Sequence, residues 1–292
     1  MTRQDWIYWA VGQLDKKNNP TSRLDAEVLL AHVLGLERLQ LHMYPAVAVD
    51  SPSATLFQHL VQRRTQGEPV AYLTGHQEFM GLDFKVSSAV LIPRPDTELL
   101  VESVLAYLKE ERTDAGTDNR PLAADIGTGS GCIAISLAVL HPVLTIMAVD
   151  LSPEALKVAG ENSTNHQVTD RVLLRQGDLL APVKEWTDGG KLLDVIVSNP
   201  PYITEEEMTQ LDVSVAGYEP HSALAGGREG LDFYRRLTEK SPALLRSGGL
   251  LAFEIGHEQG DVVAAMMKHQ GLHQVQVLKD LAGFDRVVLG RR

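Results

Sequence analysis

Four consecutive residues carry the most specific chemistry in this 292-residue chain: Asn199-Pro200-Pro201-Tyr202, directly after the apolar run Val195-Ile196-Val197-Ser198. Such a run reads as a buried strand, and parallel sheets gather ligand chemistry at the carboxyl ends of their strands. The residue types suit a planar nitrogen. An amide or aromatic amino nitrogen is a poor nucleophile because its lone pair is delocalised. Two acceptors that bind its N–H hydrogens hold it in place and favour pyramidalisation. The Asn199 side-chain carbonyl and the Pro200 backbone carbonyl supply two such acceptors. Pro200 and Pro201 stiffen the loop and keep the acceptors preorganised, and Tyr202 can lie against the planar group and block its far face. Chemistry at such a nitrogen needs in-line placement of an electrophile, without an acid–base dyad or a metal. The plain alternative is a proline-rich turn after a strand.

A second constellation lies upstream. The run 122–126 leads into Asp125-Ile126-Gly127-Thr128-Gly129-Ser130-Gly131, and Asp150 follows Gly131 by 19 residues at the end of the next strand. Glycines at a first strand-to-helix turn let backbone approach a ligand closely, and an acid at the second strand end accepts from ribose hydroxyls. A dinucleotide site would show G-x-G-x-x-G; here the spacing is G-x-G-x-G, with Cys132 in the sixth position. No lysine follows Gly131, so the phosphate-loop pattern is absent. Asp125 instead favours a ligand carrying a sulfonium and an ammonium, and S-adenosylmethionine is such a ligand. Gly177-Asp178 follows the third strand; its carboxylate either accepts from an adenine amino group or belongs to an ordinary strand-end turn.

Both constellations require strands that end side by side. Strands are expected at 122–126, 144–149, 172–175, 193–198, 250–255, 275–278 and 286–289, and helices at 131–140, 153–162, 231–245 and 260–270. This alternation predicts a parallel sheet covered on both faces. The last two strands have only 279–285 between them, which predicts an antiparallel hairpin. Residues 1–67 read as a small helical bundle: Trp6, Ile7, Ala10, Val11 and Leu14 recur at helical spacing. Ser22-Arg23-Leu24-Asp25 resembles a capping box opening a second helix that Gly35 ends, and Ser51-Pro52 opens a third. Residues 68–92 are expected to form a β-hairpin connector and 93–292 the catalytic domain. A helix with Leu100, Val104, Leu105 and Leu108 follows the breaker cluster Pro93-Arg94-Pro95-Asp96. Residues 112–120 read as a surface loop.

Bulk properties narrow the choice. The net charge is −11, and it is uneven: residues 1–90 hold eight basic and nine acidic side chains, and the remaining 202 residues carry a balance of −10. That acidity weighs against a phosphate-backbone partner. One cysteine, Cys132, excludes a disulfide framework, and it reads as a packed thiol. The ten histidines are scattered without an H-E-x-x-H pattern, so no metal is expected. Neither a signal segment nor an apolar run of membrane-spanning length is expected, which points to the cytoplasm.

Three further stretches complete a resemblance: Glu68-Pro69-Val70-Ala71-Tyr72-Leu73-Thr74-Gly75, then Leu91-Ile92-Pro93-Arg94-Pro95-Asp96-Thr97-Glu98, and the helical N-terminal part. With Asn199–Tyr202, the chain resembles the peptide chain release factor N5-glutamine methyltransferase family (HemK/PrmC) over nearly its full length. The resemblance implies an α/β fold: a mostly parallel S-adenosylmethionine-dependent methyltransferase sheet, Rossmann-like, behind a small all-α N-terminal substrate-docking domain. It implies that Gly127, Thr128, Gly129, Ser130 and Gly131 cradle the methionine part of S-adenosylmethionine and that Asp150 binds ribose. Asp178 and Leu179 would meet adenine, Leu91 would give an apolar contact, and Asn199 would border the cofactor too. Leu179 departs from the tryptophan of some members and offers no stacking. Asn199, Pro200, Pro201 and Tyr202 would grip the glutamine amide of the Gly-Gly-Gln motif of bacterial class-1 release factors, with S-adenosylhomocysteine as product. A monomer with no direct nucleic-acid partner and no membrane association is expected. The alternatives are an amino-adenine nucleic-acid methyltransferase, which shares Asn-Pro-Pro-Tyr but needs a basic groove, and a binding module with a vestigial pocket. Four smaller features stay open. Arg94 and Glu98 form a local ion pair or line a pocket. Glu254 lines the pocket or ends a strand. Glu205-Glu206-Glu207 is solvated, as a loop or helix start, or meets a basic partner. Gly226-Gly227 is a mobile loop or a plain turn.

Overall fold

The computed structural model describes residues 1–114, 120–188 and 190–292. Contacts divide the chain into two units: Met1–His76 with Asp212–Tyr218, and Gln77–Leu211 with Glu219–Arg292.

The first unit contains α1 (Arg3–Leu14), α2 (Ser22–Leu34), α3 (Arg38–Met43), α4 (Ser51–Thr65) and α5 (Val70–Thr74). The helical spacing in α1 puts Trp6, Ile7, Ala10 and Leu14 on one buried stripe. They pack with Leu29 and Leu30 of α2, Phe57 and Val61 of α4, and Leu73 of α5. Two expectations change here. Ser22 and Asp25 form no capping box: the Ser22 hydroxyl donates to the Asn19 carbonyl, and Asp25 accepts from Asn19 and from Arg64, each at 2.7 Å. Asp25 is buried, so pairing with a guanidinium outweighs capping. Residues 70–74 are helical, not the first hairpin strand. Pro69 supplies an extended entry, and the Leu73 amide closes a turn on its carbonyl at 3.1 Å. The later segment of this unit includes a short helix, α11 (Val213–Ala216), and the Tyr218 hydroxyl donates to the Gln66 carbonyl at 3.3 Å.

The second unit begins at Gln77, one residue into a hairpin of β1 (His76–Phe79) and β2 (Leu82–Lys85), and continues with α6 (Glu98–Asp114). The expected loop at 112–120 is helical through Asp114 and exposed at Arg120; residues 115–119 lie outside the described residues. Alternation follows: β3 (Leu122–Ile126), α7 (Cys132–Leu140), β4 (Thr145–Asp150), α8 (Pro153–Asn165), β5 (Val172–Gln176), α9 (Ala181–Thr187) and β6 (Leu193–Ser198). After α10 (Glu205–Met208) come α12 (Asp232–Lys240), β7 (Leu245–Glu254), α13 (Gly260–His269), β8 (His273–Lys279) and β9 (Asp285–Arg291). The helix expected to reach 245 stops at Lys240 and gives way to a single 3-10 turn, Ser241–Ala243. Pro242 has no N–H to continue the ladder.

Seven strands form one sheet in the order β5-β4-β3-β6-β7-β9-β8. The first five are parallel and β9 runs antiparallel to both β7 and β8. Strands β3, β4 and β6 are nearly continuous apolar runs because helices bury both faces. One face carries Ala123, Val195, Val197 and Ala252 against α6 and α7. The other carries Ile126, Ile196, Leu251 and Phe253 against α12 and α13.

One buried side chain ties the hairpin to the turn after β3. The Asn162 carboxamide, fully buried on α8, donates to the Ser130 carbonyl at 2.9 Å and the Lys85 carbonyl at 3.0 Å, and accepts from the Lys85 amide at 2.8 Å. Asn162→Ala leaves these groups unsatisfied and is expected to cost about 2–3 kcal/mol. Urea denaturation checks this; an unchanged midpoint would mean that solvent replaces all three bonds.

Candidate active site

The sheet register sets four strand ends level. Ile126 pairs with Val149 on one side and Ser198 on the other, and Ser198 pairs with Phe253. The next residue on each strand is therefore Gly127, Asp150, Asn199 and Glu254. The Ser198 hydroxyl fastens β6 to β3 by donating to the Ile126 carbonyl at 2.6 Å.

On one side of this row lies the glycine turn. Gly127 and Gly129 have φ of +75° and +55°, and a Cβ added to either meets nothing within 4 Å. They line an open cradle that side chains would fill. Gly131 instead faces Ile135 and Ala159 at 2.7 and 3.2 Å from an added Cβ, so it packs the turn onto α7 and α8. The Gly127 and Thr128 amides both donate to the Val149 carbonyl, at 2.8 and 2.9 Å. Thr128 and Ser130 are buried. Asp150 braces the turn: its two carboxylate oxygens accept from the Gly129 amide at 2.8 Å and the Ser152 amide at 2.9 Å. Each oxygen keeps a lone pair for a further donor.

Asp125 lies one residue before the strand end and is fully buried. Its Oδ2 accepts from the Thr128 hydroxyl at 2.6 Å, and its Oδ1 has no hydrogen-bond partner. Burial pushes its carboxyl up to about 7, against the pull of the Thr128 hydroxyl. An orphaned acidic oxygen beside an open backbone cradle, next to a ribose-type acceptor, fits a ligand with a cationic amino-acid part and a nucleoside part. Burial also raises the Cys132 thiol to about 12, so it stays protonated.

On the other side lies the Asn-Pro-Pro-Tyr loop. Asn199 Nδ2 donates to Thr97 Oγ1 at 3.3 Å, and Pro200 is buried. The Tyr202 hydroxyl donates to Glu254 Oε1 at 3.4 Å, and burial raises the Tyr202 phenol well above its usual value. The loop backbone is clamped. Gln259 Nε2 donates to the Tyr202 carbonyl at 3.0 Å and the Gly230 carbonyl at 3.2 Å, while its Oε1 accepts from the Gly256 amide at 3.0 Å. A Cβ on Gly226 would come within 2.8 Å of both the Tyr202 Cα and the Pro201 carbonyl. Gly226 thus lies beside the Asn-Pro-Pro-Tyr loop, and only glycine lets this segment lie against the Pro201-Tyr202 backbone.

The remaining expected residues lie as follows. Asp178 is exposed on the β5–α9 turn and is ion-paired with Arg236. Leu179 has φ +50°, an uncommon conformation for leucine, and packs on the core beneath α12. Leu91 is half-buried between buried Val90 and Ile92. Arg94 and Glu98 do not pair with each other. Arg94 pairs with buried Glu219, which also accepts from the Ile92 amide at 3.1 Å, and Glu98 accepts from the Met80 amide at 2.7 Å. The turn at 95–97 points the two side chains apart before α6 begins. Glu205–Glu207 form a helix start, with Thr204 and Glu207 in a capping box. Sequence patterns missed Thr97, Gln259, Asn162 and Gly230: each is a single polar or small residue whose partner is remote in the chain. Among the described residues no cluster of His, Cys, Asp or Glu is placed to hold a metal, and no helix is long and apolar enough to cross a membrane.

A parallel sheet with an antiparallel last hairpin, a glycine turn after β3 and an acceptor loop after β6 define an S-adenosylmethionine-dependent methyltransferase. Two family models match, the PrmC N-terminal domain over residues 5–75 and the methyltransferase small domain over residues 98–216. The release factor glutamine methyltransferase of Moorella thermoacetica is 45% identical over 293 residues, spanning 100% of this chain and 99% of that protein. Its counterpart in Clostridium acetobutylicum is 38% identical with the same coverage. The chain belongs to the release factor glutamine methyltransferase family. The N-terminal domain of human METTL16 in complex with SAH shares the fold, with a TM-score of 0.52 at 18% identity, covering 84% of each chain.

The state of Asp125 makes cofactor binding pH-dependent. Its folded pKa of about 7 lies above the ordinary 3.8. Between those values the ligand-free fold holds a proton that the unfolded chain has released, so this group's contribution to stability falls as pH rises through the window. A cationic ligand favours the ionised carboxylate. Affinity for S-adenosylmethionine is therefore expected to rise about tenfold from pH 6 to pH 8 and to flatten in Asp125→Asn. Calorimetric titration across that range decides; a flat wild-type profile would remove Asp125 from the binding balance.

Proposed function

We propose that this protein transfers a methyl group to the side-chain amide nitrogen of the glutamine in the Gly-Gly-Gln motif of bacterial class-1 release factors. The observation that carries this reading is the level row of strand ends, which sets Asn199 beside the glycine turn. It is supported by full-length likeness to release factor glutamine methyltransferases.

In this reading Gly127 to Gly131 hold the methionine part of S-adenosylmethionine, with backbone close to the ligand and Asp125 opposite its positive charge. Asp150 takes the ribose hydroxyls on its remaining lone pairs, while Leu91, Asp178 and Leu179 border the adenine end. When bound, S-adenosylmethionine supplies an electrophilic methyl carbon on a sulfonium sulfur. The residues of the loop prepare the nucleophile. Asn199 Oδ1 and the Pro200 carbonyl each accept one N–H of the glutamine amide. That draws the nitrogen out of conjugation and points its lone pair along one line. Pro200 and Pro201 limit the loop's freedom, and the Gln259 clamp holds the Tyr202 carbonyl. The Tyr202 ring closes one face and keeps water away. No residue need act as a strong base, because the amide nitrogen becomes acidic as the new N–C bond forms and the C–S bond breaks, and its proton passes to solvent.

Residues 1–67 act in this reading as a docking domain for the release factor, 68–92 as a connector and 93–292 as the catalytic domain. The protein works as a cytoplasmic monomer without direct nucleic-acid contact, in keeping with its acidic balance. An amino-adenine substrate would use the same Asn-Pro-Pro-Tyr chemistry, but the full-length relatives favour the protein substrate.

Two measurements test the proposal. Asn199→Ala is expected to bind S-adenosylmethionine within about twofold of wild type yet lose about 10²-fold in kcat, read by mass spectrometry of the Gly-Gly-Gln peptide. Unchanged turnover would sink the acceptor role. An intact release factor is expected to exceed a free Gly-Gly-Gln peptide by about 10²-fold or more in kcat/KM, because remote contacts supply binding energy to the reacting centre. Equal values would remove the docking role.

A further inference from the structure

The turn between β8 and β9 holds apolar side chains out in solvent. Leu281 is wholly exposed and Phe284 more than half exposed. A lone exposed leucine is ordinary on a protein surface. This pair differs because the turn beneath it is braced. Asp280 Oδ1 accepts from the Ala282 amide at 2.9 Å and from the Phe284 amide at 3.0 Å. Its Oδ2 accepts from Arg286 Nη2 at 3.1 Å and Nε at 3.3 Å. The Asp280 amide donates to the Phe284 carbonyl at 2.9 Å, and the Gly283 amide donates to the Asp280 carbonyl at 3.0 Å. Lys279 Nζ adds a bond to the Gly283 carbonyl at 3.2 Å. The His257 ring meets Phe284 edge-on, with centroids 5.7 Å apart. Apolar groups fixed in this way lose little freedom when a partner covers them.

The turn stands at the reacting end of the sheet. Val287 of β9 lies opposite Glu254 of β7, and the Ile255 amide donates to the Arg286 carbonyl at 2.9 Å. Because β9 runs antiparallel to β7, residues 280–284 lie beyond the carboxyl end of β7, the end that carries Asn199 on the next strand. Two strand spacings separate β6 from β9, so the turn is roughly 10 Å to the side of Asn199. About three residues of extended chain cover that distance. A glutamine held at Asn199 therefore brings its neighbouring protein surface over this turn. Charge describes that surface. The cations of the turn are engaged: Lys279 pairs with Asp285, and Arg286 with Asp280 and Asp96. The acids are in excess, with Asp96 half-exposed and Glu258, next to His257, largely exposed. An apolar tip in an acidic rim complements an apolar patch bordered by basic side chains and repels an anionic membrane surface. We propose that the turn at 280–284 docks the release factor beside the reacting glutamine, with Leu281 and Phe284 seated on an apolar patch bordered by basic side chains. This rests on the reading of the release factor as the substrate.

The test uses the full chain, S-adenosylmethionine and an intact class-1 release factor. Leu281→Ser, alone and with Phe284→Ser, is expected to raise the KM for the release factor by about tenfold. The Kd for S-adenosylmethionine and kcat are expected to stay within about twofold, since neither residue reaches the cofactor or the acceptor loop. Leu281→Met, which keeps the apolar bulk, is expected to restore the KM. Glu258→Lys is expected to raise the KM as well, by placing a cation in the rim; a lowered or unchanged KM there overturns the basic border. An unchanged KM in the double variant overturns the docking turn, and so does an equal weakening of S-adenosylmethionine binding. A wild-type dimer in sedimentation that Leu281→Ser turns into a monomer with unchanged KM gives the turn to a second copy of the chain and overturns the proposal. A wild-type protein that binds cofactor yet leaves the glutamine unmethylated overturns the functional reading and the docking turn together. Wild-type turnover with an unchanged KM in the double variant overturns the docking turn alone.

Discussion

The structure depends on the register of one strand. β3 pairs in parallel with β4 and with β6, and β6 pairs in parallel with β7, such that Val149, Ile126, Ser198 and Phe253 form a single row. Parallel ladders fix side-chain faces as well as depth, because a slip of one residue turns every side chain to the opposite face. The four residues beyond the row, Asp150, Gly127, Asn199 and Glu254, are therefore level by construction. None sits near another in sequence except through this row. The glycine turn, the Asp150 carboxylate, the Asn-Pro-Pro-Tyr loop and a buried acid meet because four strands, joined by three ladders, end together. The Ser198 hydroxyl on the Ile126 carbonyl and the Asp150 carboxylate on the Gly129 amide tie adjacent ends to each other.

That same arrangement explains why two acids stay buried. Asp125 and Glu254 project from the sheet face that packs on α6 and α7, among alanine and valine. Burial raises both carboxyls to about 7. Neither is neutralised by a direct ion pair: Arg286 lowers Glu254 only as a nearby charge, and its own closest partner is Asp280, at 3.1 Å. In a fold selected for stability alone, apolar residues would fill these positions. Both acids lie at the strand ends, and in the proposed reading Asp125 faces a positively charged ligand there.

Much of this was legible in the sequence. The strands at 122–126 and 193–198 fall where their apolar runs place them, and the antiparallel closing hairpin follows from the short connection at 279–285. Long apolar runs and glycine turns are local signals, and local signals survive without coordinates. The errors have the same origin. Val70–Thr74 carries strand-forming residues but becomes a helix, because tertiary burial of Ala71 and Leu73 overrides weak propensity. Arg94 and Glu98 look like a helical pair, yet each finds a remote partner instead. Thr97, Asn162 and Gln259 could not be singled out, since the groups they bind lie dozens of residues away and a lone polar residue has no pattern.

The acceptor loop shows how such remote bonds make a proline-rich turn into a preorganised site. Two prolines restrict φ but leave the loop free to swing as a body about its ends. Three contacts remove that freedom. Gln259 anchors the Tyr202 carbonyl and, through its other end, the Gly256 amide, so loop and β7 exit move together. Gly226 presses its backbone on Pro201 and Tyr202 at a distance no side chain permits. Glu254 receives the Tyr202 hydroxyl from below. Two anchors come from the β7 exit at 254–259 and one from Gly226, and they act on backbone or on the Tyr202 hydroxyl. In the proposed reaction the acceptors would thus be held in place before the substrate arrives. A nitrogen with a delocalised lone pair gains little from a stronger base but much from two acceptors fixed in place. The rigidity of the loop therefore comes from outside it, from Gln259, Gly226 and Glu254.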